Sequence, residues 1–220
     1  MTTLNSLTAD GKPRKVYGSQ TCRGDMEASS VEVLGHLHVR GKLAAARLKL
    51  RGECSVAQSC ITQELYSFGS LRTGSLQAGK AAVSGYLSVA SSAHAEEFRA
   101  DGAVRIGRLS CTASIHIELG SLCRIRHITC EGGITITPSS RLMNLPMRPF
   151  RKLSCETIEG AGITLYRTQA DLVCGQNVTL GPGCKIGEVR YRDRLTLHPQ
   201  SQVGTITQMN QMNRTGGNTK

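Results

Sequence analysis

The chain has no tryptophan, 3 phenylalanines and 5 tyrosines among 220 residues. A thick globular core of that size usually draws on several large aromatic side chains. Their scarcity excludes such a core and leaves Val, Ile, Leu, Ala, Thr and Cys to fill a narrow one. Long apolar runs are missing too. Met1 to Lys15 contain none, which predicts neither a secretory leader nor a membrane-spanning helix there. The nine cysteines include no Cys-x-x-Cys pair, and an odd number leaves at least one thiol outside any internal disulfide. A reducing cytoplasm, with cysteine used as a small buried hydrophobe, accounts for them better than an oxidising compartment. Acidic residues are few, 16 against 27 Lys and Arg, for a formal net charge of +11. That balance favours anionic partners: an acidic protein, nucleic acid or the inner leaflet of a membrane.

Glycine is abundant, 24 residues, and it comes in rhythm. Gly18, Gly35, Gly52, Gly69, Gly85, Gly102 and Gly120 are separated by 17, 17, 17, 16, 17 and 18 positions. The apolar residues keep the same interval. In the stretch that begins at Gly35, alternation marks three short strands, each turning two side chains inward: Leu37 and Val39, Leu43 and Ala45, Leu48 and Leu50. Adding 17 carries Leu37 to Cys54, Leu71, Leu87 and Val104, with one 16-residue step near Gly74. Val39 leads to Val56, Thr73, Val89 and Ile106, and Leu43 to Cys60, Leu76, Ala93 and Leu109. Leu48 leads to Leu65, Ala81, Phe98 and Ile115, and Leu50 to Ser67, Val83, Ala100 and Ile117. Met26, Ala28, Val31 and Val33 extend the register backwards.

A fixed repeat of this length predicts a β-solenoid, in which no coil can bury its inner face without a neighbour above and below. Glycine at the corners is expected to supply backbone angles that other residues resist. Cys123 and Ile125, Ile128 and Cys130, and Ile134 and Ile136 read as further inward pairs. Residues 138–152 carry three prolines and no alternation, and are expected to protrude as a loop. The rhythm resumes with Ile163, Leu180 and Leu197, and with Leu172, Val189 and Ile206. The predicted domain is therefore 16–207, roughly ten coils and about 50 Å long at the spacing of paired strands. Residues 1–15 and 208–220 are expected to be disordered tails.

Two stretches resemble the bactofilins, bacterial cytoskeletal proteins that form polymers. One is the alternation Val-x-Val-x-Gly-x-Leu-x-Val-x-Gly from Val31 to Gly41. The other runs from Ile158-Glu-Gly through Asn177-Val-Thr-Leu-Gly-Pro-Gly-Cys-Lys-Ile-Gly-Glu-Val189 and is similar to the closing segment of the longer Firmicutes-type members. The resemblance implies a right-handed β-helix that polymerises end to end without nucleotide, at the cytoplasmic face of the membrane. It also implies roles in cell shape, envelope organisation or motility, with envelope or motility proteins, and in some cases a paralogue, as partners. The N-terminal Met1-Thr-Thr-Leu-Asn-Ser-Leu is only a weak version of the family's apolar membrane motif.

A physical argument points the same way. The last coil of a solenoid exposes unpaired backbone groups and an open apolar cross-section unless something covers it. No amphipathic helix at either terminus is expected to do so, and two open ends allow pairing with further copies.

Other motifs carry less. Leu180-Gly-Pro-Gly-Cys-Lys-Ile-Gly187 is similar to the hexapeptide repeat of left-handed β-helix acyl- and nucleotidyltransferases. Only Leu180 and Ile186 keep that period, and Pro182-Gly183 reads equally well as a tight corner. His36 and His38 share the outward side of one strand without a third metal ligand nearby in sequence. The cysteines sit on the ladders without zinc spacing, Cys184 being the one expected at an accessible corner. No catalytic triad, phosphate loop or inward carboxylate pair is present, so neither enzyme chemistry nor a cofactor or metal is expected. In 138–152, Leu145, Met147 and Phe150 are interspersed with Arg148, Arg151 and Lys152, a candidate peripheral contact with anionic membrane. The leading expectation is a cytoplasmic scaffold. The alternatives are a monomeric basic binding module and the transferase, and nucleic acid is not expected as a partner.

Overall fold

The computed structural model describes residues 11–139 and 151–209. The chain is all-β and winds into a parallel β-solenoid of about 11 turns, each of about 17 residues. Among the described residues thirteen strand segments run from β1 (Arg14–Val16) to β13 (Gln202–Gln208), and the pairings between them are parallel. The longest, β7 (Ser70–Leu119), turns its corners without leaving the ladder.

The repeat is realised residue by residue. Met26, Leu43 and Cys60 stack as successive rungs, as do Val31, Leu48 and Leu65. Leu37, Cys54 and Leu71 form a third column. All nine are buried. The short step lies where the spacing places it: Val56 pairs with Thr73, but Ser59 pairs with Ser75, so one residue drops out between them. Phe98, the largest side chain in the core, is 1% exposed and lies 17 positions after the small Ala81. Large beside small keeps a narrow interior at the density of an organic crystal.

The column of glycines works differently from the expectation. Among its members only Gly18 (φ 69°) and Gly102 (φ 146°) adopt backbone angles that need glycine. The others are required by proximity. A Cβ on Gly35, Gly52, Gly69 or Gly85 would overlap the carbonyl oxygen of the preceding glycine in the column. That same oxygen accepts a backbone hydrogen bond from the next coil: His36 N–H to Gly18 O at 2.7 Å, Glu53 N–H to Gly35 O at 2.9 Å, Ser70 N–H to Gly52 O at 3.0 Å.

The second half departs from strict period. Ile163 pairs with Val178 and Leu165 with Leu180, both 15 residues apart, so Ile163 and Leu180 are not rungs of one ladder. Val173, not Leu172, faces inward opposite Val189; Leu172 is half-buried and pairs with Glu188. Two residues are missing from this coil relative to the N-terminal ones, and each absence shifts the side chains beyond it to a new partner. Period 17 returns at Leu180–Leu197 and Val189–Ile206.

The inserted segment is also shorter at the tube than expected. Pro138 still pairs with Leu119, and the Lys152 carbonyl already accepts the amide of Cys123 at 3.0 Å. At the termini, Arg14 and Lys15 belong to the first strand, and Gln208 still pairs with Tyr191. The domain therefore starts before residue 16 and runs past 207.

Candidate interaction surfaces

The outside of the tube is a set of shallow columns, most of them charge-paired. Lys15, Glu32 and Lys49 stack on one side, with nitrogen–oxygen distances of 3.5 and 4.0 Å. Arg47 Nε meets Glu64 Oε2 at 2.8 Å, Lys80 meets Glu97 at 3.2 Å, and Arg99 meets Glu118 at 3.4 Å. These are exposed pairs, each contributing about 0–1 kcal/mol. Their main effect is to favour one stacking register over its neighbours.

Among the described residues no group of three His, Cys, Asp or Glu converges. His36 and His38 both face solvent, and His36 Nδ1 lies 3.4 Å from Glu53 Oε2. His94 Nδ1 and Ser110 Oγ form a short hydrogen bond on an open strand face. His127 Nδ1 bonds Thr157 Oγ1 at 2.9 Å. At the Leu180–Gly187 corner, Gly183 turns with φ 79°, and the Tyr166 ring lies where a Cβ on Gly181 would be.

All nine cysteines are free thiols. Burial pushes Cys54, Cys111 and Cys155 up to about 12 and Cys123 up to about 11. Cys60 is raised by burial and by the neighbouring Cys54. Cys184 overturns its expectation. It is fully buried and donates to the Leu165 carbonyl at 3.3 Å, while Cys22 and Cys174 are the partly accessible thiols. The corner at Pro182–Gly183 turns the backbone outward but leaves the following side chain on the inner side.

Of the candidate membrane-contact residues, Leu145, Met147, Arg148 and Phe150 lie outside the described residues. Arg151 is only 7% exposed, so its guanidinium belongs to the body of the tube rather than to a protruding surface. Lys152 is exposed. Among the described residues no helix is long and apolar enough to cross a membrane.

The two ends differ. At the N-terminal end, Arg14 stands over Val31 and Gln20 over Leu37, so polar side chains take two of the inward slots. Val16, over Val33, and Met26, over Leu43, are apolar and only 2% and 3% exposed. At the C-terminal end the last rungs of four columns are aliphatic. Leu195 and Leu197 stand over Val178 and Leu180, and Val203 and Ile206 over Ile186 and Val189. Leu197 is 41% exposed and Ile206 49%, whereas the residues beneath them are 4% exposed or less. Among the described residues β13 has a neighbour on one side only, β12 (Lys185–Leu197). Subtracting 17 from Val31 and Leu37 lands on Arg14 and Gln20, so these two polar rungs were legible in the sequence.

The chain is 37% identical over 93 residues to the uncharacterized protein YhbF of Bacillus subtilis, covering 42% of this chain and 39% of YhbF. It is 35% identical over 102 residues to the uncharacterized protein YhbE of the same organism, covering 46% of this chain and 39% of YhbE. The matched part thus spans about two fifths of these curated relatives. No model of a known protein family matches the chain. No solved structure matches it either. The class defined by the structure is a parallel β-solenoid whose described C-terminal coil leaves Leu197 and Ile206 exposed.

Proposed function

We propose that this protein is a non-enzymatic, bactofilin-like scaffold that assembles end to end without nucleotide, in the cytoplasm and near the inner face of the membrane, and that its C-terminal end is the primary contact. The observation that carries the reading is the exposure of Leu197 and Ile206 in slots that each preceding coil buries. A solenoid that stays single covers such a cross-section with a polar element. Among the described residues the aliphatic rungs and the edge strand β13 have no neighbour beyond them, which favours pairing with another chain, because docking buries the apolar end and satisfies the edge amides and carbonyls together. The repeat motif at Val31–Gly41 and the stretch at Ile158–Val189, which resemble the bactofilins, support the same assignment. Envelope or motility proteins are the proposed clients, held along the sides of a rigid filament.

The test is electron microscopy and sedimentation of the purified full chain in nucleotide-free buffer. Filaments or longer particles are expected from the native sequence, and shorter, monodisperse particles from the Leu197→Glu, Ile206→Glu double variant. Single particles of one solenoid length from the native chain at high concentration would remove the reading.

A further inference from the structure

On one side of the tube, where Glu53 pairs with His36 and Arg72, one stretch departs from the charge pairing. Elsewhere the register sets cation against carboxylate, as in Arg47–Glu64, Lys80–Glu97 and Arg99–Glu118. On the side built from the strands that follow the glycine column, Arg105 pairs in register with Arg124 on the next coil. Arg126 follows two residues on, its guanidinium lying over Gly107. All three are exposed, and none of their guanidinium groups has an ion pair or hydrogen bond to another described residue. Like charges stacked on adjacent strands repel one another. The arginines stacked here gain no pairing of the kind seen at Arg47–Glu64 or Lys80–Glu97.

The three arginines border a groove of about 470 Å³ whose floor is made by Ser88, Ala90 and Gly107. A second hollow, lined by Tyr86, Ala103 and Leu122, joins it through Arg105 and Arg124. No carboxylate lines either one. Towards the C-terminal end the Arg124 column passes through the uncharged Ser154 and Gln169 to Lys185, and Glu156 follows Arg126, so the stacked arginines are confined to this groove. The side is about four residues wide, roughly 13 Å, enough for one extended chain and too narrow for a duplex.

We infer that this groove binds a linear phosphate polymer lying along the tube axis, with Arg105, Arg124 and Arg126 as its principal contacts. Guanidinium forks suit tetrahedral oxyanions and hold them at two oxygens. Arg105 and Arg124 stand on successive coils about 5 Å apart, a spacing that a flexible chain of phosphates can follow. The partner is a phosphate chain rather than a nucleic-acid strand because the groove offers small residues where bases would need stacking platforms. Its one aromatic, Tyr86, is already engaged by the Arg72 guanidinium, 5.7 Å from the ring centroid. A bilayer is disfavoured because the arginines edge a hollow rather than crown a ridge. This inference is independent of end-to-end assembly, which uses other residues.

The test measures binding of fluorescent inorganic polyphosphate to the full chain across a salt series. The native protein is expected to bind with a steep dependence on salt. The triple variant Arg105→Gln, Arg124→Gln, Arg126→Gln is expected to bind about tenfold or more weakly and to lower the slope of log affinity against log salt by about 2, by analogy with single strands. The charge-matched variant Arg47→Gln, Arg99→Gln, Arg190→Gln, whose arginines are each paired with a glutamate, is expected to bind as the native chain does. Ser88→Glu, which places a carboxylate on the groove floor, is expected to weaken binding without removing an arginine. Equal losses in both triple variants would show attraction by net charge alone and overturn the site. Tighter binding to oligothymidylate or to phosphatidylglycerol vesicles than to polyphosphate would overturn the choice of ligand.

Discussion

Gly52 lies against Gly35 so closely that the carbonyl oxygen of Gly35 occupies the place a Cβ of Gly52 would take. That oxygen meanwhile accepts the amide of Glu53 at 2.9 Å. Contact and hydrogen bond belong to one column, so the corner is held by backbone on backbone.

Replacing Gly52 by alanine must therefore separate two coils. A loss of about 1–3 kcal/mol or more is expected, as for other overpacked sites, read from the denaturant midpoint. Gly24→Ala is the control: nothing lies within 4 Å of its would-be Cβ, and its effect should stay within about 0.5 kcal/mol.

Phe98 fills the widest slot of the core and is 1% exposed. Phe98→Ala removes that volume where the surrounding ladder cannot collapse, and should cost about 3–5 kcal/mol in equilibrium unfolding.

Ser67 occupies an inward rung between Leu50 and Val83, and its Oγ has no hydrogen-bond partner among the described residues. By contrast Thr62 and Thr73, also inward, each donate to a backbone carbonyl, at 3.0 and 2.9 Å. Ser67→Val replaces an unsatisfied hydroxyl by methyl groups that match the column, and a gain of about 1 kcal/mol is expected in the same assay.

The thiols make stability depend on alkaline pH. An unfolded cysteine ionises near pH 8.5, whereas in the fold Cys54, Cys111 and Cys155 are pushed up to about 12. Above pH 8.5 the unfolded chain releases protons that the fold retains, so stability is full below that pH and falls as pH rises towards 12. Each such thiol contributes about 1.4 kcal/mol per pH unit in that window. Thermal melts between pH 7 and 11 should show the decline, and serine at Cys54 should shallow it. At neutral pH a maleimide should label Cys22 and Cys174 quickly, and the seven buried thiols only after denaturation.

Much of the first seven coils was legible because the spacing is uniform there. One rung, Leu37 for example, locates Cys54 and Leu71 by addition, and the 16-residue step announces itself as a one-residue shift in every column. After the insertion the same arithmetic misleads. Coils of 15 and 16 residues put Val173 where Leu172 was expected and Val178 opposite Ile163. Alternation alone cannot separate these choices, since Leu172 and Val173 are adjacent and both apolar, and only the pairing partner decides which points inward. Cys184 was misplaced for a related reason: a corner motif locates the bend of the backbone, not the side on which the next side chain falls.

The candidate surfaces divide in the same way. Arg14, Gln20, Leu197 and Ile206 follow from the period once the end of the tube is known. Arg105 and Arg124 are 19 positions apart and look unrelated in the sequence.

The amino-acid sequence by itself determined the tube, because a period of 17 in small apolar side chains has no other way to leave water than by stacking on its own copies. The tertiary structure alone decided which columns share a side, where the count slips, and that one side stacks arginine on arginine. Those outcomes depend on the residue lying across the coil boundary, and a chain read in one dimension does not contain that neighbour.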